Sequence, residues 1–380
     1  LPVLGWSAFA RTPAAFLPGV MDTKHRRATA SGRAAIGLAL RVLGVRPGDR
    51  VLVPTYHCPS MIGPVVAAGA IPVFYPLGPM GGADLAWLEE LGTRHAARAM
   101  LVAHYFGVPQ TMAGIRRFCD THRVALIEDC AHAFFGISDD RPVGQWGDVA
   151  IASLTKFFPV PEGGFIASDH IPLQHLKLAP RSWIDELRAV ADAIQVGAEH
   201  GRLTGLNTLL QALFGAKARL RKAPQGQDKP RQALATTDVA EKPPAEPAGA
   251  ALWITRHVDP GRIAACRRRN YERLTRRLSE LRGAYPLVPE LPPAAVPYVF
   301  PLYVHRAEDA YQPLRRTGIP IFRWDELWPD TPALAGDHGL VWSGHVFQLG
   351  CHQDLTEDDI DRIASTVRRV VDDEGRGGVF

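Results

Sequence analysis

The chain has 380 residues, 46% apolar and 22% charged, with a net charge of +4. That length holds a large core and two lobes, and the composition is that of an ordinary globular protein without the basic, aromatic-studded runs of a nucleic-acid binder. The five cysteines are scattered with no CxxC pair, which argues against a disulfide framework or a zinc site and fits a reducing cytoplasm, and no apolar run is long enough to span a membrane.

Residues 1–30 read as an arm with little periodicity. Ser31-Gly32-Arg33-Ala34-Ala35 then opens an Ala- and Leu-rich helix to about Leu43. Ser31 is placed to cap it, and a capped start beside a glycine is either a plain structural helix or an anion site. Pro47-Gly48-Asp49 is a turn, Arg50–Pro54 a strand, Pro59–Ala68 a helix and Ile71–Tyr75 a strand. Together they make one right-handed βαβ unit and imply a parallel sheet. Ala83–Leu91 is an amphipathic helix, Ala99–Ala103 a strand ended by His104-Tyr105-Phe106-Gly107, and Met112–His122 the next helix. This alternation up to residue 168 predicts a doubly wound α/β lobe.

Leu126 to Gly164 carries the chemistry. Val124–Ile127 is a short buried strand ended by Glu128-Asp129, and an aspartate there is desolvated and driven neutral unless a cation is close. Val149–Ala152 is a second such strand, followed by Ser153-Leu154-Thr155-Lys156. Lys156 stands among Leu154, Phe157, Phe158 and Pro159, surroundings that lower an amine's pKa and make it a nucleophile. Singly, such a lysine is usually a solvated loop residue and such an aspartate a cap or turn former. In combination, an aspartate for a pyridinium, a lysine for a Schiff base and hydroxyls for a phosphate are what pyridoxal 5′-phosphate (PLP) requires.

Beyond Ser168, Leu173–Arg221 reads as two or more helices. Lys222–Gly249 is rich in Pro, Lys, Gln, Glu and Ala, too polar to offset its ordering entropy, and reads as a flexible loop beside the site or a linker between lobes. Trp253–Leu281 is one long helix with an arginine-rich, solvated face. Tyr298–His305 is a strand, Ala307–Thr317 a helix, and Gly318-Ile319-Pro320-Ile321 begins another strand. Thr356 and Asp359 have capping-box spacing ahead of a last helix.

The order EDCAHA, GDVAIAS, Lys156 and Glu162-Gly163-Gly164 resembles the DegT/StrS family of PLP-dependent sugar aminotransferases. The resemblance covers residues 25–168 well and 253–373 loosely. It implies the fold-type-I architecture: a large doubly wound, mostly parallel sheet lobe and a smaller C-terminal α+β lobe. By resemblance, Asp129 holds the pyridine nitrogen, His132 lies against the cofactor, Ser153 touches the phosphate and Lys156 carries the Schiff base. Gly32 and Arg33 offer backbone N–H groups to the phosphate. Family members place an aromatic ring from the loop after the second strand over the cofactor; here the candidates are Tyr56 and His57, with Cys58 where many members have an aromatic. His104 lies on the site floor, as a core histidine or a substrate contact. Glu162 and Arg323 are further substrate candidates; Arg323, beside Trp324 at the site mouth, is either a bidentate anion binder or a surface ion pair.

Two features depart from the family. The loop from Ser153 to Lys156 is short, and the G-x-N-x-R segment that follows in other members is not found after Ser168. The resemblance divides the chain into an arm (1–30), a PLP-binding lobe (31–221), a flexible loop or linker (222–249) and a small lobe (250–380). It implies a cytoplasmic homodimer with shared sites, moving an amino group from an amino acid such as glutamate to a nucleotide-linked keto sugar in surface-polysaccharide or secondary-metabolite biosynthesis. The alternatives are another PLP-dependent sugar reaction, dehydration or lyase chemistry, and a non-catalytic binding or regulatory relative.

Overall fold

The computed structural model describes residues 1–11, 17–94, 96–207 and 244–373. Strands β1 (His25–Thr29), β2 (Arg50–Pro54), β3 (Ile71–Tyr75), β4 (Ala99–Ala103), β5 (Ala125–Asp129), β8 (Val149–Ser153) and β9 (Gly164–Ser168) form a seven-stranded sheet in the order β1-β9-β8-β5-β4-β2-β3. A small hairpin, β6 (Ile137–Ser138) and β7 (Arg141–Pro142), intervenes before β8. From β8 to β3 all neighbours are parallel, while β9 runs antiparallel to both β8 and β1. Helices α1 (Gly32–Val42), α2 (Pro59–Ala67), α3 (Leu85–Arg94) and α4 (Ala113–His122) link the parallel strands. Strands β4, β8 and β9 are buried at every residue, which is why their sequences are unbroken apolar or small runs rather than alternating ones. The supposed arm is more than an arm: His25–Thr29 pairs along all of β9 as the edge strand.

The small lobe is an antiparallel sheet in the order β10 (Ala284–Pro286), β11 (Val299–Val304), β13 (Val346–Gly350), β12 (Ile321–Phe322). It packs Phe300, Leu302, Phe347 and Leu349 against long helices. After α5 (Trp183–Glu199) come α6 (Gly249–His257), α7 (Pro260–Leu278), α8 (Ala307–Arg316), α9 (His338–His345) and α10 (Glu357–Asp373). The single helix expected over Trp253–Leu281 is two. Val258 is extended, Asp259 caps the new helix by accepting from Gly261 N at 2.9 Å, and Pro260, which lacks an N–H, opens α7. The capping box before α10 is present: Thr356 N donates to Asp359 Oδ2 at 3.0 Å and Asp359 N to Thr356 Oγ1 at 3.2 Å. Of the helices expected over Leu173–Arg221, α5 is described; residues 208–221, and 222–243 of the expected loop, lie outside the described residues.

The lobes meet where β4 ends. Tyr298 N donates to Phe106 O at 2.8 Å. Gly107 has φ +93°, and a side chain there would collide with Tyr298 N and Val296 O. Only glycine lets the two lobes approach so closely at this point.

Candidate active site

The carboxyl ends of β5 and β8 open into a cavity of about 960 Å3, the crevice where open α/β sheets receive ligands. Gly32 and Arg33, at the N-terminus of α1, form one wall. Ser31 caps this helix, its Oγ accepting from Ala34 N at 3.1 Å, so the positive end of the helix dipole faces the cavity. Ser153 lies on the same wall, its hydroxyl 3.4 Å from Thr155 Oγ1. Gly164 makes this arrangement possible. A Cβ there would lie 2.6 Å from both Gly32 N and Ser31 C, so β9 runs directly against the start of α1.

Asp129 ends β5 and is buried at the cavity floor; its Oδ1 accepts from Ala131 N at 2.8 Å. Burial raises its carboxyl pKa above the usual range, while Lys156, the Ala131 amide and His104 pull the other way. Lys156 follows β8 on the neighbouring strand and reaches the same cavity. Burial lowers its amine pKa, opposed by Cys58 and Asp129. Its Nζ lies 5.4 Å from the centre of the Tyr298 ring. Asp129 and Lys156 therefore act on each other across the cavity, and no ion pair joins them among the described residues. His132 sits between Tyr298 and Trp324, with ring centroids 4.5 and 4.9 Å away. Burial, then the Lys156 charge, hold its imidazole well below its usual pKa, so it is neutral.

The turn bearing Lys156 is clamped from the small lobe. Arg267 on α7 is fully buried and donates through Nη2 to Lys156 O at 2.7 Å, through Nη1 to Pro297 O at 3.0 Å and Tyr298 O at 3.1 Å, and through Nε to Gln353 Oε1 at 2.8 Å. Gln353 Nε2 donates in turn to Phe157 O at 2.8 Å. Burial lowers the guanidinium pKa to about 10, so Arg267 stays charged at neutral pH, held by neutral oxygens and by the Phe157 ring at 4.6 Å.

Residues 7–177 match the model of the DegT/DnrJ/EryC1/StrS aminotransferase family. The similarity to this family lies in the large lobe. The chain is 31% identical over 153 residues to the GDP-perosamine synthase of Vibrio cholerae, covering 39% of this chain and 41% of that protein. It is 29% identical over 234 residues to the UDP-N-acetyl-3-dehydro-alpha-D-glucosamine 3-aminotransferase of Acidithiobacillus ferrooxidans, covering 55% of this chain and 63% of that one. The chain thus spans about half the length of the curated relatives it matches. Ntda from Bacillus subtilis, solved with bound cofactor PMP, superposes with a TM-score of 0.62 at 19% identity over 92% of this chain and 74% of that one. That similarity shows the fold, which is the fold-type-I aminotransferase architecture.

The structure sorts the residues that the DegT/StrS resemblance singled out. Gly32, Arg33, His104, Asp129, His132, Ser153 and Lys156 line one cavity. Tyr56 and His57 do not; Cys58 does. Tyr56 is fully buried behind the wall, its hydroxyl accepting from Gln348 Nε2 at 3.2 Å. His57 is used up structurally: Nδ1–H donates to Pro54 O at 2.9 Å and Nε2 accepts from Trp328 N at 2.9 Å. Glu162 is not among the residues lining the cavity and accepts from Arg181 Nη1 at 2.6 Å and Ala248 N at 2.7 Å.

Arg323 is also outside, its guanidinium donating to Glu308, Asp325 and Gly344 O and lying 4.7 Å from the Tyr311 ring. Its donors are thus engaged within the small lobe. His104 lines the floor but is a core histidine: Nδ1 accepts from Gln110 N at 3.1 Å, so Nε2 carries the proton to Glu128 Oε1 at 3.0 Å. Burial opposes ionisation of Glu128, yet His104 and the amides of Gly144 and Gly147 lower its pKa. His104, Glu128 and Cys130 lie close enough to ligate a metal, but Glu128 already accepts from His104, Gly144, Trp146 and Gly147.

Arg267, Tyr298 and the cavity role of Trp324 were not assigned from sequence. One signal was available for Arg267. It shares a helical face with Ile263, Ala264, Tyr271, Leu274 and Leu278, and a lone arginine inside an apolar stripe marks a buried one.

Proposed function

We propose that this cavity binds PLP and that the protein is an aminotransferase, moving an amino group from an amino acid, glutamate or glutamine, to the ketone of a nucleotide-linked sugar. The observation that carries this reading is Asp129 and Lys156 on adjacent strand ends, both buried, facing one cavity without pairing to each other. A buried carboxylate short of a cation and an amine held toward neutrality suit opposite ends of one pyridine ring. The N-terminus of α1 with Ser153 and Thr155 suits its phosphate. The match to the family model and the names of the matched sugar-modifying relatives support the same class and a role in polysaccharide or secondary-metabolite biosynthesis.

When bound, PLP supplies an electron sink beside the carbon that loses its proton. The residues of the chain do the rest. Asp129 holds a positive charge at the ring nitrogen, and that charge keeps its own buried carboxyl ionised. Lys156, whose amine pKa burial lowers, would be the nucleophile and then the base that takes a proton from the donor α-carbon and returns it. Arg267 and Gln353 fix the backbone of the turn from which Lys156 works. Neutral His132 and the aromatic rings around it exclude water. A homodimer that completes the open side of the site is part of this reading, as is a cytoplasmic setting. The five cysteines are free, and no described helix is long and apolar enough to cross a membrane.

The test is spectroscopic. Purified protein given PLP should show a visible absorbance band that borohydride removes, that glutamate shifts and that Lys156→Ala lacks. A wild type that binds no PLP, or a variant that keeps the band, overturns the reading. Colour without response to glutamate or glutamine points instead to a lyase or dehydratase.

A further inference from the structure

The loop after β2 sends Tyr56 and His57 into the core and leaves Cys58, a small side chain, facing the cavity. Of the aromatic rings that line it, His104, Tyr105 and His132 come from the large lobe and Trp324 from the other. Trp324 follows β12, lines the cavity, and lies with its ring centroid 5.0 Å from Tyr56 and 4.9 Å from His132. Its loop is pinned on both sides. Arg323 N donates to Tyr311 Oη at 3.1 Å beside a guanidinium engaged on three partners. Trp328 N donates to His57 Nε2 at 2.9 Å. A part-buried indole on so constrained a loop is preorganised, so little ordering entropy opposes its use as a binding face.

Building on the PLP reading of this cavity, we propose that Trp324 is the aromatic cover of the cofactor ring, supplied by the small lobe where residue 58 supplies none. Offset or tilted stacking of an indole on an electron-poor pyridinium is favourable beyond the area it buries. Cys58 and Trp324 line the same cavity, one small and one large side chain. Cofactor retention in this chain therefore depends on the small lobe being seated, held by the His57–Trp328 hydrogen bond and the Arg267 clamp.

The probe is pyridoxamine 5′-phosphate, which cannot condense with Lys156 and so reports non-covalent contacts alone. Its affinity is measured by fluorescence quenching and by the dichroism induced in its absorbance band, with the melting temperature recorded for each variant. Trp324→Leu, which keeps apolar bulk to hold the loop, should melt near the wild type but bind about tenfold more weakly, with the induced dichroism reduced. Trp324→Phe should retain most of the affinity. In the Trp324→Leu background, Cys58→Phe should restore binding, because a ring from the β2 loop then covers the same face; a merely structural role for Trp324 gives no such rescue. If Trp324→Leu binds within twofold of wild type, or Cys58→Phe fails to rescue it, the proposal is overturned and the PLP reading stands. If the wild type binds neither cofactor form, the PLP reading itself falls and this proposal with it.

Discussion

The hydrogen bond from Trp328 N to His57 Nε2 exists only while that nitrogen is unprotonated, because Nδ1–H is already committed to Pro54 O. Burial lowers the His57 pKa from 6.5 to about 4, against the pull of the Pro54 and Thr55 backbone. When the loop opens, the imidazole returns to its ordinary pKa and binds a proton the closed form refuses. Stability from this group is therefore fully present above about pH 6.5 and is lost as pH falls toward 4. The full shift corresponds to about 3 kcal/mol, and between pH 7.5 and pH 5 about 2 kcal/mol is lost. Hydrogen exchange of the peptide containing Trp328, corrected for the intrinsic pH dependence of exchange, should therefore lose roughly 30-fold in protection across that range. In His57→Gln, whose amide oxygen can accept from Trp328 N but does not titrate, the drop should be absent. Equal pH dependence in wild type and variant would refute the reasoning. A loss of protection on raising the pH would reverse its sign.

Three further outcomes are expected. Gly164→Ala places a methyl within 2.8 Å of Gly32 N, Ser31 C and Ala152 O, all backbone atoms that cannot swing aside; a loss of about 3 kcal/mol in denaturant unfolding, with weakened PLP binding, is expected. Arg267→Met leaves Lys156 O and Gln353 Oε1 without their buried donor and should cost about 2–4 kcal/mol. It should also slow PLP attachment to Lys156 in stopped-flow absorbance, and Arg267→Lys should not restore it, since an ammonium cannot span the same oxygens. Asp129→Asn removes the charge at the ring nitrogen; roughly a hundredfold loss in half-reaction rate with glutamate is expected, read in single-turnover absorbance, with melting nearly unchanged.

The large lobe was legible in the letters because its signals are local. β2 and β3 are bounded by turns, β4 and β5 are short apolar runs between polar helices, and Ser31 announces its helix with a side chain that caps it. The edge strand β1 was not legible: His25-Arg26-Arg27-Ala28-Thr29 carries no apolar alternation, and it is a strand because β9 offers it an unpaired edge. The same distinction runs through the site. Asp129 and Lys156 stand out because each is a charge ending an apolar run. Arg323 looked available because its partners Glu308 and Gly344 are distant in sequence. Tyr56 and His57 looked like cofactor contacts because nothing nearby in the chain says which way a loop side chain turns.

Sequence alone determined the strand–helix alternation, the capped start of α1 and the acid and amine that mark the cavity, since all of these arise from interactions within a few residues along the chain. Tertiary structure decided that Trp324 of the small lobe reaches the cavity, which arginine is buried and which histidines are spent on hydrogen bonds. Those outcomes depend on partners brought close only by folding, such as Trp328 for His57 and Lys156 for Arg267, and a linear pattern holds no record of a contact whose two halves lie in different lobes.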